Sequence, residues 1–173
     1  MARAIPERLP AGSFSSIFGT VIAGQHPDTG RKYTMVEPQM GGWGATSDRD
    51  GLSAMFSPNH GNTFNCPVEI CEARYGLNVV QKELTERLSN VIGYTGGHGV
   101  SVTYEARAPA SFSVGYTRAK KPVWSLNDQA PGGTNAMTIQ RVSGPDEHHQ
   151  FASGVALQSG DWVLIKTANG GNA

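Results

Sequence analysis

The stretch Gly41-Gly42-Trp43-Gly44-Ala45-Thr46-Ser47-Asp48-Arg49-Asp50-Gly51 limits this chain more than any other feature. Four glycines, two aspartates and an indole share eleven residues. Glycine at that density implies one of two things: backbone forced through positive φ, or backbone pressed against another surface. The chain repeats the habit elsewhere, with 22 glycines and 10 prolines in 173 residues, while only 16% of its residues are charged. A helical bundle would be rich in Ala, Leu, Glu and Lys instead. Short strands joined by turns, or long loops pinned by neighbours, fit better. The expected fold is mainly β, with α+β as the alternative. It is a single β-rich domain of mostly antiparallel strands, with one or two short helices and long glycine-rich loops.

Fourteen basic and fourteen acidic side chains balance. No basic surface for nucleic acid is implied. Near-zero net charge gives little electrostatic protection against association, which favours a chain that lives inside a complex. Cys66 and Cys71 are too few for a disulfide scaffold. No signal-like opening and no membrane-length apolar run is visible, so the expected setting is cytoplasmic, with no membrane partner.

Residues 1–16 hold two prolines and no period, and read as an extended arm that needs a partner surface. The main domain runs over 17–168, and 169–173 reads as a flexible tail. Residues 17–24 and 31–37 read as strands around an Asp28-Thr29-Gly30 turn. In the second of these, Tyr33, Met35 and Glu37 alternate with Lys32, Thr34 and Val36. Pro67, with Asn65 as a candidate cap, opens a short helix through Arg74 that Gly76 stops. Residues 77–89 are ambiguous: Leu77, Val80, Leu84 and Leu88 fit a helical stripe, yet the segment also permits a strand. Further strands are expected over 100–105, 111–116, 137–142 and 162–167. Residues 143–153 read as polar and turn-rich.

The order of several motifs resembles the hydantoinase B family. That family includes the matching half of 5-oxoprolinase and a large subunit of acetone and acetophenone carboxylases. The residues carrying the resemblance are Pro6-Glu7-Arg8-Leu9-Pro10-Ala11, Gly41-Gly42-Trp43-Gly44 with Asp50-Gly51, and Asn65-Cys66-Pro67-Val68-Glu69 with Glu72. Gly93-Tyr94-Thr95-Gly96-Gly97-His98-Gly99-Val100 and Gly160-Asp161-Trp162-Val163 complete the set. The resemblance is to the C-terminal part of the B-type subunit. Thr95 stands where the family usually has arginine. Ala168-Asn169-Gly170-Gly171 replaces its closing proline-and-glycine run, and Leu126-Asn127-Asp128-Gln129 lacks a glycine pair. The resemblance implies that metal ligands lie in the N-terminal portion of the long subunit and that nucleotide is handled by a separate actin-fold A subunit. This chain would bind no cofactor, with ATP, magnesium and a divalent metal on its partners. Those partners would be a hydantoinase A-like ATPase and a larger hydantoinase B-like subunit. The implied role is a small subunit of an ATP-dependent hydantoinase or ketone carboxylase, completing the fold and the substrate-channel wall of larger catalytic subunits. A direct catalytic part or a free-standing binding module are the alternatives.

Imidazole titrates near neutral pH, so His98 and His60 are the candidate proton relays. Neither has H-x-x-x-H or H-x-E spacing, and no metal site is expected. Cys66-x4-Cys71 lacks zinc-ribbon spacing and reads as a pair of apolar thiols; a nucleophilic Cys66 would need a depressed pKa. The 93–99 glycines form neither a P-loop nor a dinucleotide fingerprint. Asp48 and Asp50 flank Arg49, a pattern that more often locks a loop than performs acid–base work. Glu69 and Glu72 share a helix face that could meet a cationic partner. Trp43 and Trp124 suit interface anchors as well as core. Trp43, Asp48, Asp50, Asn65, Glu69, Glu72 and Trp124 are therefore the candidate substrate or interface residues, for positioning rather than bond-breaking.

Overall fold

A computed structural model describes residues 9–57, 60, 63–86 and 91–173. Residues 1–8 of the expected arm, with Pro6-Glu7-Arg8 of the first motif, lie outside the described residues, as does Leu88. Strands β1 (Gly19–Gln25) and β2 (Lys32–Pro38) form an antiparallel hairpin in which Val21 faces Val36. The amide of His26 donates to Arg31 O at 2.8 Å across its turn, and Gly30 sits there at φ 67°, where a side chain would be strained.

Helix α1 (Val68–Arg74) starts at Pro67, with the amide of Cys71 donating to Pro67 O at 2.9 Å. Asn65 does not cap it: its side chain donates instead to Glu37 Oε1 at 2.6 Å and to Pro38 O at 3.1 Å. The extended conformation of Tyr75 ends the helix, and Glu72 Oε1 accepts from the amide of Val79 at 2.9 Å, tying the helix to the next strand.

That strand, β3 (Leu77–Leu84), shows the first eight residues of the ambiguous segment to be extended, and 87–89 lie outside the described residues. It is an edge strand paired on one side with β4 (Val100–Ala106), and a bulge lies between Val79 and Gln81. Only Leu77 is buried along β3, so burial writes no period into its sequence. After β4 come β5 (Ala110–Gly115), β6 (Ala136–Gln140), β7 (Glu147–His148), β8 (Phe151–Leu157) and β9 (Trp162–Lys166). β7 and β8 occupy the stretch that reads as turns. Gly154 at φ 69° and the register shift between Phe112 and Val114 interrupt the alternation of β8.

The described residues form two antiparallel sheets, in the orders β2-β1-β5-β8 and β3-β4-β9-β6-β7, with one α-helix. One apolar core joins them. Ile22, Met35 and Phe112 come from the first sheet, Val102, Ile139 and Ile165 from the second. Phe18 stacks on Tyr116 with ring centroids 4.3 Å apart. No helix among the described residues is long and apolar enough to cross a membrane.

Residues 169–173 are bound to the rest of the chain. Gly170, Gly171 and Asn172 are buried. Asn172 Oδ1 accepts from the amide of Gly96 at 2.9 Å, its Nδ2 donates to Ala130 O at 2.7 Å, and the amide of Ala173 donates to Tyr94 O at 2.9 Å. Residues 9–16 find their surface within the chain: the amide of Ala11 donates to Ala45 O and that of Phe14 to Gly42 O, at 2.8 and 2.9 Å.

Candidate functional site

The glycine-rich segments converge on one another. Residues 11–14, 41–45, 51–54, 95–99 and 168–173 lie side by side outside the two sheets, joined by main-chain hydrogen bonds. Trp43 N donates to Leu52 O at 2.9 Å, Gly97 N to Trp43 O at 2.8 Å and Gly170 N to Gly97 O at 2.9 Å. Gly171 N donates to Gly12 O at 2.7 Å, and Gly12 N to Trp124 O at 2.9 Å. A buried backbone amide must find a partner, and here the partners are other loops.

Close approach explains the glycines. A methyl on Gly42 would overlap both Gly97 O and Gly170 N, and one on Gly170 would overlap Trp43 O. Neither lies in the left-handed region. Of the two explanations the sequence leaves open, backbone pressed against backbone is the one that applies at these positions.

The candidate side chains brace this weave. Trp43 packs against Phe14, Val123 and Ala168, and its Nε1 donates to Phe56 O at 2.9 Å. Asp50 Oδ1 accepts from the amide of Thr95 at 2.7 Å and from its hydroxyl at 3.2 Å. Asp48 Oδ1 accepts from Thr46 Oγ1 at 2.6 Å on the exposed turn. The amide of His98 donates to Ser53 Oγ at 2.9 Å, and its Nδ1 meets Thr85 O. A carbonyl only accepts, so Nδ1 carries a proton, and in the neutral ring Nε2 is the basic nitrogen.

Other candidates lie apart. His60 Nδ1 is buried and has no hydrogen-bond partner among the described residues, and its ring lies beside Phe56 with centroids 6.0 Å apart. No hydrogen bond or ring contact among the described residues joins it to His98. Glu69 is exposed in the first turn of α1, while Glu72 points back to β3, so the two acids do not act as a pair. Trp124 is 46% exposed, with the Arg118 guanidinium 5.1 Å from its ring centroid. A nucleophilic Cys66 would need a depressed pKa, whereas burial and the Glu37 carboxylate push its thiol up, and burial raises Cys71 to about 12. No cluster of three or more His, Cys, Asp or Glu among the described residues could hold a metal ion.

Residues 1–172 match the family described as Hydantoinase B/oxoprolinase. The chain belongs to that family. An uncharacterised protein of Methanocaldococcus jannaschii is 27% identical over 172 residues, which is 96% of this chain and 28% of that protein. The fold is that seen in an ATP-dependent caprolactamase from Pseudomonas jessenii, at TM-score 0.83 and 19% identity, over 99% of this chain and 31% of the other. A nucleotide-free acetone carboxylase structure matches at TM-score 0.71 and 14% identity, over 99% of this chain and 27% of the other. This member of the family thus spans under a third of the length of each.

Two buried acids of this family member, Glu37 and Asp161, are not among the candidate residues. Glu37 is buried on β2 and accepts from Asn65 Nδ2 and from the amide of Cys66 at 3.1 Å. Burial raises its pKa, and these two donors only partly offset that. Its phase with Met35 was the available signal, since residues two apart on a strand share a face. A polar cluster centres on Asp161. Its carboxylate accepts from the amides of Val142 and Gln158 at 3.0 and 2.9 Å and from Arg141 Nη1 at 2.7 Å. Arg141 Nε also donates to Glu147 Oε1 at 2.7 Å, which, with His149, holds Glu147 down at about 2. Of this cluster, only Asp161 stands in a family motif.

Proposed function

We propose that this chain is a structural part of an ATP-dependent enzyme of the hydantoinase and ketone carboxylase type. It completes the fold of a larger hydantoinase B-like polypeptide and walls its substrate channel. A hydantoinase A-like actin-fold ATPase supplies the nucleotide step, and ATP, magnesium and a divalent metal reside on those partners. The substrate is an amide-like ring or an enolisable ketone. Family membership and the names of the two structural neighbours support that class.

One observation carries the reading. Four of the candidates within the matched motifs are occupied inside the chain, Asp50 by Thr95, Asn65 by Glu37, Glu72 by Val79 and Trp43 by Phe56, while Glu69 faces solvent. Such groups set loop positions. They are not poised for bond-breaking.

A second reading draws on His98 alone. Thr85 O fixes its ring and leaves Nε2 basic, the arrangement a general base requires. His98→Ala and His60→Ala in the assembled complex separate the two. The positioning account expects turnover within about threefold of wild type with assembly intact. A loss of about 100-fold or more with assembly intact would establish a catalytic histidine.

A further inference from the structure

The main chain of His98 is pinned. Its amide donates to Ser53 Oγ and its carbonyl accepts from the amide of Ala54, both at 2.9 Å. Glycines flank it on both sides. A methyl on Gly97 would overlap Leu52 O, and one on Gly99 would overlap Thr167 O, so neighbouring backbone leaves position 98 little room to move. The half-buried ring meets Thr85 O through Nδ1. Its orientation is therefore only as fixed as Thr85 O is.

Thr85 follows the last residue of β3, and Gly99 precedes the first of β4. The two residues mark the mouth of the connection in which His98 lies. The amide of Thr85 donates to Gly99 O at 3.0 Å across that mouth. One side chain from the C-terminal segment then spans it. Asn169 Oδ1 accepts from the amide of Gly99 at 2.7 Å and also from Thr85 Oγ1, and its Nδ2 donates to Glu86 O at 2.7 Å. Chemistry settles which way the amide points. A backbone N–H only donates and a backbone carbonyl only accepts, so Oδ1 faces Gly99 and Nδ2 faces Glu86. Thr85 is buried, so its hydroxyl needs a partner within the protein, and Asn169 is that partner. Aspartate at 169 would lack the donor for Glu86 O, and glycine would lack the whole bridge.

We propose that Asn169 is a positioning residue for His98. Acting through Thr85, it fixes where Thr85 O lies and so holds the imidazole with its proton on Nδ1 and Nε2 as the basic nitrogen. A histidine side chain free in water favours the proton on Nε2, so the clamp selects the rarer tautomer. The inference deepens the second reading above, in which His98 is a general base, by naming the residues that aim it. It also makes the C-terminal segment part of that site.

The test is nitrogen NMR of the imidazoles in the full chain carrying isotope-labelled histidine, at alkaline pH, where imidazole is neutral. The His98 signals are assigned by their loss in His98→Gln. Wild type should show a protonated Nδ1 and a bare Nε2. Asn169→Ala and the isosteric Thr85→Val should each lower the ratio of the two tautomers about tenfold, the worth of one hydrogen bond. Thr85→Ser restores the hydroxyl and should keep the wild-type ratio. Far-UV circular dichroism and the signals of the other histidines report whether each variant is folded. If Asn169→Ala does not fold, the contrast between Thr85→Val and Thr85→Ser decides. A wild-type ring protonated at Nε2, or an unchanged ratio in Thr85→Val, would overturn the inference. Turnover of the assembled complex is a separate readout. A lowered kcat with unchanged KM in Thr85→Val, recovered in Thr85→Ser, supports both the positioning and the catalytic histidine. A shifted tautomer with unchanged turnover supports the positioning and removes the catalytic reading.

Discussion

The amide of Gly97 donates to the carbonyl oxygen of Trp43 at 2.8 Å, and no side chain stands between the two backbones. Three further loops are stitched on in the same way, so a region without regular strands is held by main-chain hydrogen bonds at separations only glycine permits. Side chains from the matched motifs, Trp43 and Asp50 among them, then brace it from its edges.

Glycine-to-alanine substitution tests this arrangement. Gly42→Ala forces a methyl onto the backbones of Gly97 and Gly170, neither of which can yield. It should lower unfolding stability by about 3 kcal/mol or more. Gly19→Ala meets nothing nearer than 3.9 Å and should stay within about 0.5 kcal/mol of wild type. Urea midpoints of the two variants check the contrast.

Glu37 gives a pH signature. Burial raises its folded pKa above the ordinary 4.5. The folded state therefore holds the proton more tightly than the unfolded state does. The associated stability is present below 4.5 and is lost as pH rises through the raised value. Glu37→Gln removes this dependence while keeping an acceptor for Asn65 and Cys66. The stability of the variant relative to wild type should climb as pH rises from about 4 to about 7, in urea titrations across that range.

Asp161 has the opposite sign. Burial alone would raise its pKa, but the amides of Gln158 and Val142 and the Arg141 guanidinium outweigh it and hold the group below the ordinary 3.8. Its stabilisation is present above 3.8 and is lost as pH falls through the lowered value. Asp161→Asn should cost about 2–4 kcal/mol at neutral pH, because Arg141 loses a buried partner. The gap from wild type should narrow as pH falls below 3.8 and through the lowered value.

Much of the fold is legible from alternation. β1, β2, β4, β5, β6 and β9 all bury every second residue for part of their length, and that period is printed in the sequence. β3 and β8 are edge strands with bulges, so their residues carry no clean period. Asn169-Gly170-Gly171-Asn172 looks like a loose end because its partners are the distant backbones of residues 96, 97 and 12. Main-chain pairing between remote loops leaves glycine as its only trace. That trace marks close approach without saying to what. Trp43, Asp50 and His98 are found together at the weave for the same reason their segments are glycine-rich, whereas the burial of Glu37 shows only in its phase with Met35.

The central claim is that the chemistry of the assembled enzyme lies outside this chain, which shapes and completes it. Turnover of caprolactam, hydantoin and acetone in the presence of ATP and magnesium tests this, with the purified chain alone, the larger partners alone, and all together. No turnover by the chain alone is predicted, little by the partners alone, and full turnover when they are combined at near-stoichiometric ratio. Turnover by this chain unaided, or full turnover by the partners without it, would contradict the claim.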